Sequence, residues 1–368
     1  MGRLWELSLY FLRLGTLGFG GPNAHIAAMH EDLVRRREWV DERHFLDVVG
    51  ITNLIPGPNS SEVAIHLGYV RAGPLGGLVA GLAFALPAFL MLLVLSWAYF
   101  RSGGFEVRDD LLAGIQAVAL AAVVATLWRL RSGFIGGWRK PALALIGLGL
   151  VLAFPALTPM VLLAAGAANV LAARAGAPAA SAVPLAVTAV IGPTALPALA
   201  WVFLRTGLLL FGGGLVLVPL LAPEVVARGW LTETQFLDGI ALGQATPGPI
   251  VLTSVFVGYA VDGVLGALVA TAAIYLPAFV AVLTGTGPFL RRLRGRPTVS
   301  AFVEGVTAAA LGAVLAAAIL LAPQGLAGPF RITVFVLAVV AVLLRVPIVL
   351  VVAGGAAVGA GAGALGLV

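Results

Sequence analysis

Phe45-Leu46-Asp47 followed by Pro56-Gly57-Pro58 stands in the first half of the chain, and Phe236-Leu237-Asp238 followed by Pro247-Gly248-Pro249 stands 191 residues later. The match extends in both directions. Upstream, Phe11-Leu12-Arg13-Leu14-Gly15 and Phe19-Gly20-Gly21 return after 192 residues as Phe203-Leu204-Arg205-Thr206-Gly207 and Phe211-Gly212-Gly213, and Trp39 returns as Trp230. Downstream, Gly68-Tyr69, Gly73, Gly76 and Leu86-Pro87-Ala88-Phe89 return after 190 as Gly258-Tyr259, Gly263, Gly266 and Leu276-Pro277-Ala278-Phe279. Apolar helices match one another by chance in leucine and alanine. They do not keep arginine, tryptophan, aspartate and two Pro-Gly-Pro triplets in one order. The expected organisation is two homologous repeats, 1–175 and 200–368, joined by a Pro/Ala-rich linker, 176–199.

Composition places these repeats in a membrane. Of 368 residues, 61% are hydrophobic and only 10% charged, with a mean hydropathy of +1.07. A soluble domain carries roughly 25% charged residues. The apolar residues form long runs at 111–128, 161–173, 308–322, 334–344 and 346–355, and about 20 apolar residues cross a bilayer as a helix. The expected fold class is an all-α polytopic membrane protein, which excludes soluble enzymes, nucleic-acid binders and disulfide modules. The chain has no cysteine, and His25, His30, His44 and His66 show no regular ligand spacing. No metal, cofactor or enzymatic activity is therefore expected. The net charge of +6 reads as the lysine and arginine excess of inner loops rather than as a nucleic-acid surface. Residues 1–10 lack the basic segment and small-residue cleavage site of a signal peptide.

Spans are expected near 4–24, 75–100, 111–129, 141–154 and 156–173, with a charged segment at 31–47 and an apolar stretch at 48–69. Pro-Gly-Pro removes two backbone donors and interrupts that stretch. At membrane depth such backbone is tolerated only inside protein or along a cavity. The stretch 48–69 therefore reads as a re-entrant or broken helix, so each half has about five transmembrane helices plus one such segment. With 31–47 cytoplasmic, fifteen basic residues fall inside and five (Arg3, Arg101, Arg108, Arg228, Arg331) outside, with Arg13 and Arg205 inside helices. Five spans are odd in number, so the second half is inverted relative to the first. The stretch 179–200 is apolar enough to cross, which on this count would make the halves parallel.

Inverted repeats with matched, Gly/Pro-interrupted segments point to a secondary transporter with its site at the midplane. A broken helix presents backbone N–H groups and the positive end of a helix dipole, which suits an anion. The candidate binding residues are Asn53, Pro56, Gly57, Pro58 and Asn59 in one half and Gln244, Pro247, Gly248 and Pro249 in the other. Ser60, Ser61, Thr246, Thr253 and Ser254 flank them as neutral donors. Arg13 and Arg205 sit about nine residues into the first helix of each half, where a charge costs roughly 2.5–3.5 kcal/mol on insertion scales. They read either as a pair of cations for an oxyanion or as arginines reaching for the interface. Gly20, Gly21, Gly212 and Gly213 end helices, allow close packing or free N–H groups. Glu62 shares a helical face with Pro58 and His66 and is the candidate proton carrier, unless it pairs with Arg13 or Arg71. Asp47 and Asp238, beside the breaks, read as caps or interfacial ion pairs.

Phe11-Leu12-Arg13-Leu14-Gly15, Phe19-Gly20-Gly21-Pro22, His30-Glu31, Arg35-Arg36-Arg37-Glu38-Trp39 and Leu54-Ile55-Pro56-Gly57-Pro58 resemble the chromate ion transporter family. The second-half series from Phe211-Gly212-Gly213-Gly214 through Gly229-Trp230-Leu231-Thr232 to Gly243-Gln244-Ala245-Thr246-Pro247-Gly248-Pro249 is similar to that family's C-terminal domain. The resemblance covers roughly 5–130 and 200–320. It implies a multi-pass inner-membrane protein that exports chromate, driven by membrane potential or proton gradient, with chromate resistance as the outcome. Where many relatives carry lysine this chain has Arg13, which keeps the charge. The expected partners are chromate or a sulfate-like oxyanion and the lipid bilayer, with a homodimer as the assembly and no nucleic acid. An anion channel or a carrier of sulfate or another oxyanion are the alternatives. No Gly-Lys-Ser/Thr phosphate loop is present, which excludes ATP-driven transport within this chain.

Overall fold

A computed structural model of the chain describes residues 2–52, 55–101, 109–130, 138–175, 195–211, 214–284, 296–344 and 346–364. Among them there are fourteen α-helices and no strand. The first half holds α1 (Gly2–Leu17), α2 (Pro22–Met29, continued by a π-helical turn at His30–Arg36), α3 (Glu42–Thr52), α4 (Asn59–Arg101), α5 (Asp109–Leu130), α6 (Arg139–Ala153) and α7 (Thr158–Ala175). The second holds α8 (Ala195–Leu209), α9 (Leu217–Ala227), α10 (Glu233–Ala245), α11 (Thr253–Leu283), α12 (Pro297–Gly325), α13 (Gly328–Leu343) and α14 (Ile348–Ala364). α4, α11, α12 and the segment Pro155–Ala173 are long and apolar enough to cross a membrane, and several shorter apolar helices accompany them. This is an all-α, multi-pass membrane protein.

The long helices α4 and α11 each fold back on themselves. Ala72 and Gly73 (φ 66) leave the helical region in α4, as do Asp262 and Gly263 (φ 52) in α11. Glycine supplies the positive φ that the reversal needs. A Cβ on Gly68 would overlap the carbonyl of Gly76, and one on Gly258 that of Gly266. Eight residues apart on a straight helix these atoms would be about 12 Å distant. Each long helix is thus a short limb followed by a long one. In α4 the first limb, 59–71, is roughly 20 Å long, and the second, 74–101, at about 42 Å outreaches the hydrocarbon core.

The expected first span, 4–24, is replaced by something shorter. α1 has 16 residues, about 24 Å, and stops where Gly20 (φ 107) and Gly21 (φ 78) turn the chain. α2 and its π turn then run back, so that Arg37 at their end pairs with Glu6 near the start of α1, at 3.4 Å. Arg71, at the end of the short limb of α4, reaches the same Glu6 at 3.1 Å. Trp39 lies beneath both guanidinium groups, 5.6 Å from Arg37 and 5.0 Å from Arg71. Two hairpins, α1–α2 and α3 with the short limb of α4, therefore open on one face and carry their tips inward. Arg3, three residues before Glu6, therefore lies at the same end of α1 as the arginine-rich loop, whereas the charge count had set it apart from that loop.

The second half also opens with a short helix tied to the next one, through a different set of ion pairs. Arg205 of α8 pairs with Glu224 of α9 at 2.7 Å, and Glu224 also holds Arg228 at 2.6 Å. α10 begins with a capping box between Thr232 and Gln235. The long limbs of α4 and α11 are antiparallel: Gly77 lies against Leu283, and Gly81 against Phe279. At the far end of α4, Phe100 stacks on Tyr259 with centroids 6.0 Å apart, and Tyr99 meets Phe256. The remaining helices are exchanged between halves. α12 packs on α6 and α7, whereas α5 packs on α13 and α14. Two-thirds of the apolar window of α12 is buried, as befits a helix surrounded by others. Glycine seams allow the close approach: a Cβ at Gly147 would stand 2.9 Å from the carbonyl of Ala309.

Candidate functional site

The two Pro-Gly-Pro breaks form the tips of the hairpins that contain them, and each is tied to the opposite half. The Gly57 N–H donates to the Leu210 carbonyl at 3.0 Å, and the Gly248 N–H donates to the Gly18 carbonyl at 2.9 Å. Leu210 and Gly18 end the helices that precede the two Phe-Gly-Gly segments. The same exchange is thus made twice, between equivalent residues. Within each half the tips also touch: His25 bridges Gly18 and Ser60, and Gly214 stands 3.4 Å from Ile250, measured from an ideal Cβ. Four tips meet inside the protein.

The triplets are built for this meeting. Gly57 has φ 153 and Gly248 φ 98, both in the region that side chains avoid. A Cβ on Gly57 would overlap Oε1 of Glu62 and stand 3.2 Å from the Cβ of Ala278, and one on Gly248 would be 2.9 Å from the Cβ of Ala88. Ala88 and Ala278 are the alanines of the repeated Leu-Pro-Ala-Phe segments. Their recurrence has a contact behind it: each small side chain faces the glycine of the other half. Pro56, Pro58, Pro247 and Pro249 lack an N–H, so they place no further donor in the tip.

Around the first break the polar side chains are buried. His25 Nε2 faces the Gly18 carbonyl at 2.9 Å, which makes it the donor, and its Nδ1 is 3.4 Å from the Ser60 hydroxyl. The Ser61 hydroxyl meets the Tyr275 hydroxyl of α11 at 3.3 Å. Glu62 is fully buried, and neither carboxyl oxygen has a hydrogen-bond partner. Arg71, one expected partner, is engaged with Glu6 instead. Asn59 is partly buried at the start of the short limb. Around the second break the Thr246 and Thr253 hydroxyls donate to the carbonyls of Gly243 and Ile250, and Ser254 meets Thr271. Gln244 is buried with its Nε2 unpartnered.

The arginines are placed differently from each other. Arg13 is exposed on the outer side of α1, while Arg205 is mostly buried in its pair with Glu224. Gly20 is exposed and Gly21 partly so. Asn53, Gly212 and Gly213 lie outside the described residues. Asp238 is buried in the middle of α10, where it accepts from Tyr99 and from Gln116, each at 2.6 Å. Gln116 in turn accepts from Arg331 of α13 at 2.9 Å. Asp47 is only partly buried. A surface cleft of about 490 Å³ lies away from the tips, at the α9–α10 loop beside Glu233 and Gln324. Sequence reasoning missed His25 and Tyr275, which have no repeat counterpart: Leu217 and Ala85 occupy the matching positions.

The sequence model of the chromate transporter family matches residues 5–171 and 197–360. This chain belongs to the chromate transporter family. It is 36% identical over 378 aligned residues to a chromate transport protein of Cupriavidus metallidurans, covering 97% of this chain and 92% of that protein. A probable chromate transport protein of Synechococcus elongatus is 35% identical over 342 residues, covering 88% and 86%. An uncharacterized transporter of Bacillus subtilis is 30% identical over 173 residues, which is 44% of this chain but 85% of that relative. In that relative a single half nearly makes a protein. No solved structure matches the chain.

Proposed function

We propose that the protein is a secondary active transporter that exports chromate, a divalent tetrahedral oxyanion, across the inner membrane, and so confers chromate resistance. Two homologous repeats, 1–175 and 200–368, joined by 176–199 and opposed in orientation, form it. The antiparallel long limbs of α4 and α11 and the two-part family match support that organisation. The observation that carries the transport reading is the reciprocal pair of bonds, Gly57 to Leu210 and Gly248 to Gly18. These amides are the donors an oxyanion needs, and the bonds that engage them join elements of different halves. A relative movement of the halves releases them toward a ligand, which is how binding and movement become linked.

In this reading the oxyanion is held by backbone N–H groups near Pro56–Asn59 and Pro247–Ile250, by the side chains of Asn53, Asn59 and Gln244, and by Gly20, Gly21, Gly212 and Gly213. Arg13 and Arg205 supply the cationic field. Arg205, Glu224 and Arg228 together carry one net positive charge, so the ion pair leaves the approach attractive to an anion. Membrane potential or a proton gradient drives the flux. The test is chromate and sulfate flux in proteoliposomes under an imposed potential or pH gradient. Expected are saturable chromate uptake into inside-out vesicles, strong losses in Arg13→Gln and Arg205→Gln, and partial retention with lysine, which keeps charge but loses the bidentate fork. Flux that never saturates, or both glutamine variants moving chromate like the parent, overturns the reading.

A further inference from the structure

Glu62 is the buried ionisable group that the oxyanion reading leaves unused. It stands near the start of the short limb of α4, fully enclosed, with both carboxyl oxygens unpartnered and Oε1 against Gly57. The titratable groups of the elements around it are His25 on α2, tied to Ser60; Tyr275 on α11, tied to Ser61; and His66, one turn further along its own limb. The Gly57 backbone, bound to Leu210, lies against Oε1, and the apolar Ala278 stands on Gly57. Among the described residues no lysine or arginine pairs with Glu62, so no side-chain cation compensates its ionised carboxyl. Its single compensation is the positive end of its own limb. That end is also what an oxyanion at the first break would use. Carboxylate and oxyanion therefore compete for one positive pole.

We propose that Glu62 takes up a proton when a divalent oxyanion occupies the tip of the first Pro-Gly-Pro hairpin, so that proton and dianion bind together. This rests on the oxyanion reading above and fixes its coupling. The proton joins the carboxylate to give the neutral acid, and leaves when the anion leaves. A dianion with one proton moves one net negative charge. The potential, negative inside, then drives export, and an inward-directed proton gradient opposes it rather than drives it.

The experiment is equilibrium binding of chromate to the purified full-length protein across the alkaline range in which chromate stays a dianion. The parent should lose affinity by about tenfold per pH unit once Glu62 titrates, as expected for one linked proton. At a pH high enough to ionise Glu62 in the free protein, adding chromate to weakly buffered protein should remove about one proton per site from solution, read with an indicator dye. Glu62→Gln, which keeps shape and removes titration, should bind with an affinity independent of pH and take up no proton, and Glu62→Asp should restore both. The dye measurement on the parent needs no variant to fold. A parent that binds chromate without taking up a proton overturns the proposal, as does a Glu62→Gln protein that keeps the parent's pH slope. A parent that binds no chromate at all overturns the oxyanion reading itself.

Discussion

A methyl group at position 248 would stand 2.9 Å from the Cβ of Ala88, on a residue whose φ is 98. Gly248→Ala should therefore destabilise the fold by about 2 kcal/mol from backbone strain alone, before the collision is counted. Thermal unfolding in detergent checks this, and an unchanged midpoint would mean that the tips need not approach so closely. The arginines separate by the same measurement. Arg205→Gln deprives a mostly buried Glu224 of a charged partner at 2.7 Å and should cost about 1.5–3 kcal/mol. Arg13→Gln, on an exposed face, should stay within about 0.5 kcal/mol, whatever it does to transport. The residues that recur between halves, Gly57 with Gly248 and Ala88 with Ala278, form the scaffold of the tips. The buried polar side chains of the first break do not recur: positions matching His25, Glu62 and Tyr275 hold Leu217, Thr253 and Ala85. Comparing the halves exposes the first set and hides most of the second. Glu62 was legible because an acid is conspicuous among apolar residues, whereas a histidine and a tyrosine are not.

At the scale of elements, α1 decides the topology. The chain leaves this 16-residue helix through α2 and comes back to its start, which brings Arg3 and Arg37 to one end of the hairpin. Because the chain has no cysteine, single cysteines report cleanly. Arg3→Cys and Arg37→Cys should be labelled from the cytoplasm and Arg228→Cys from the other side. Labelling of position 3 from the side of 228 would restore α1 as a full span. The polar cluster at Asp238 joins elements in a different way, tying α4 and α5 of the first half to α10 and α13 of the second. Tyr99→Phe removes a 2.6 Å bond to a buried carboxylate and should destabilise by about 2 kcal/mol. Combined with Asp238→Asn, the losses should fall short of additive, since both changes break one contact. Strict additivity would show that the contact carries no coupling energy.

At the scale of the molecule, neither half is a separate body. α12 is enclosed by α6 and α7, and α5 by α13 and α14, so each half's core is completed by the other's helices. Residues 1–175 expressed alone should be degraded or aggregate, while coexpression with 195–368 should restore a complex that moves chromate. A stable, monodisperse 1–175 fragment would contradict the exchange.

The amino-acid sequence alone determined the membrane environment, the recurrence of its own motifs and the break at each Pro-Gly-Pro. These follow from local properties: runs of apolar residues, recurring order, and prolines that cannot donate a hydrogen bond. It also pointed to Glu62, because a carboxyl beside a break in an apolar stretch has few uses. Only the tertiary structure decided that α1 turns back at Gly20 and Gly21, since a glycine pair is equally compatible with a packed, continuous helix. Only it decided that Gly57 and Gly248 bind Leu210 and Gly18 of the opposite half, that Arg71 goes to Glu6 and leaves Glu62 unpartnered, and that Asp238 is a buried acceptor rather than a cap. Partners of that kind are set by which helices are exchanged between halves, through contacts as much as about two hundred residues apart, and no local pattern carries that information.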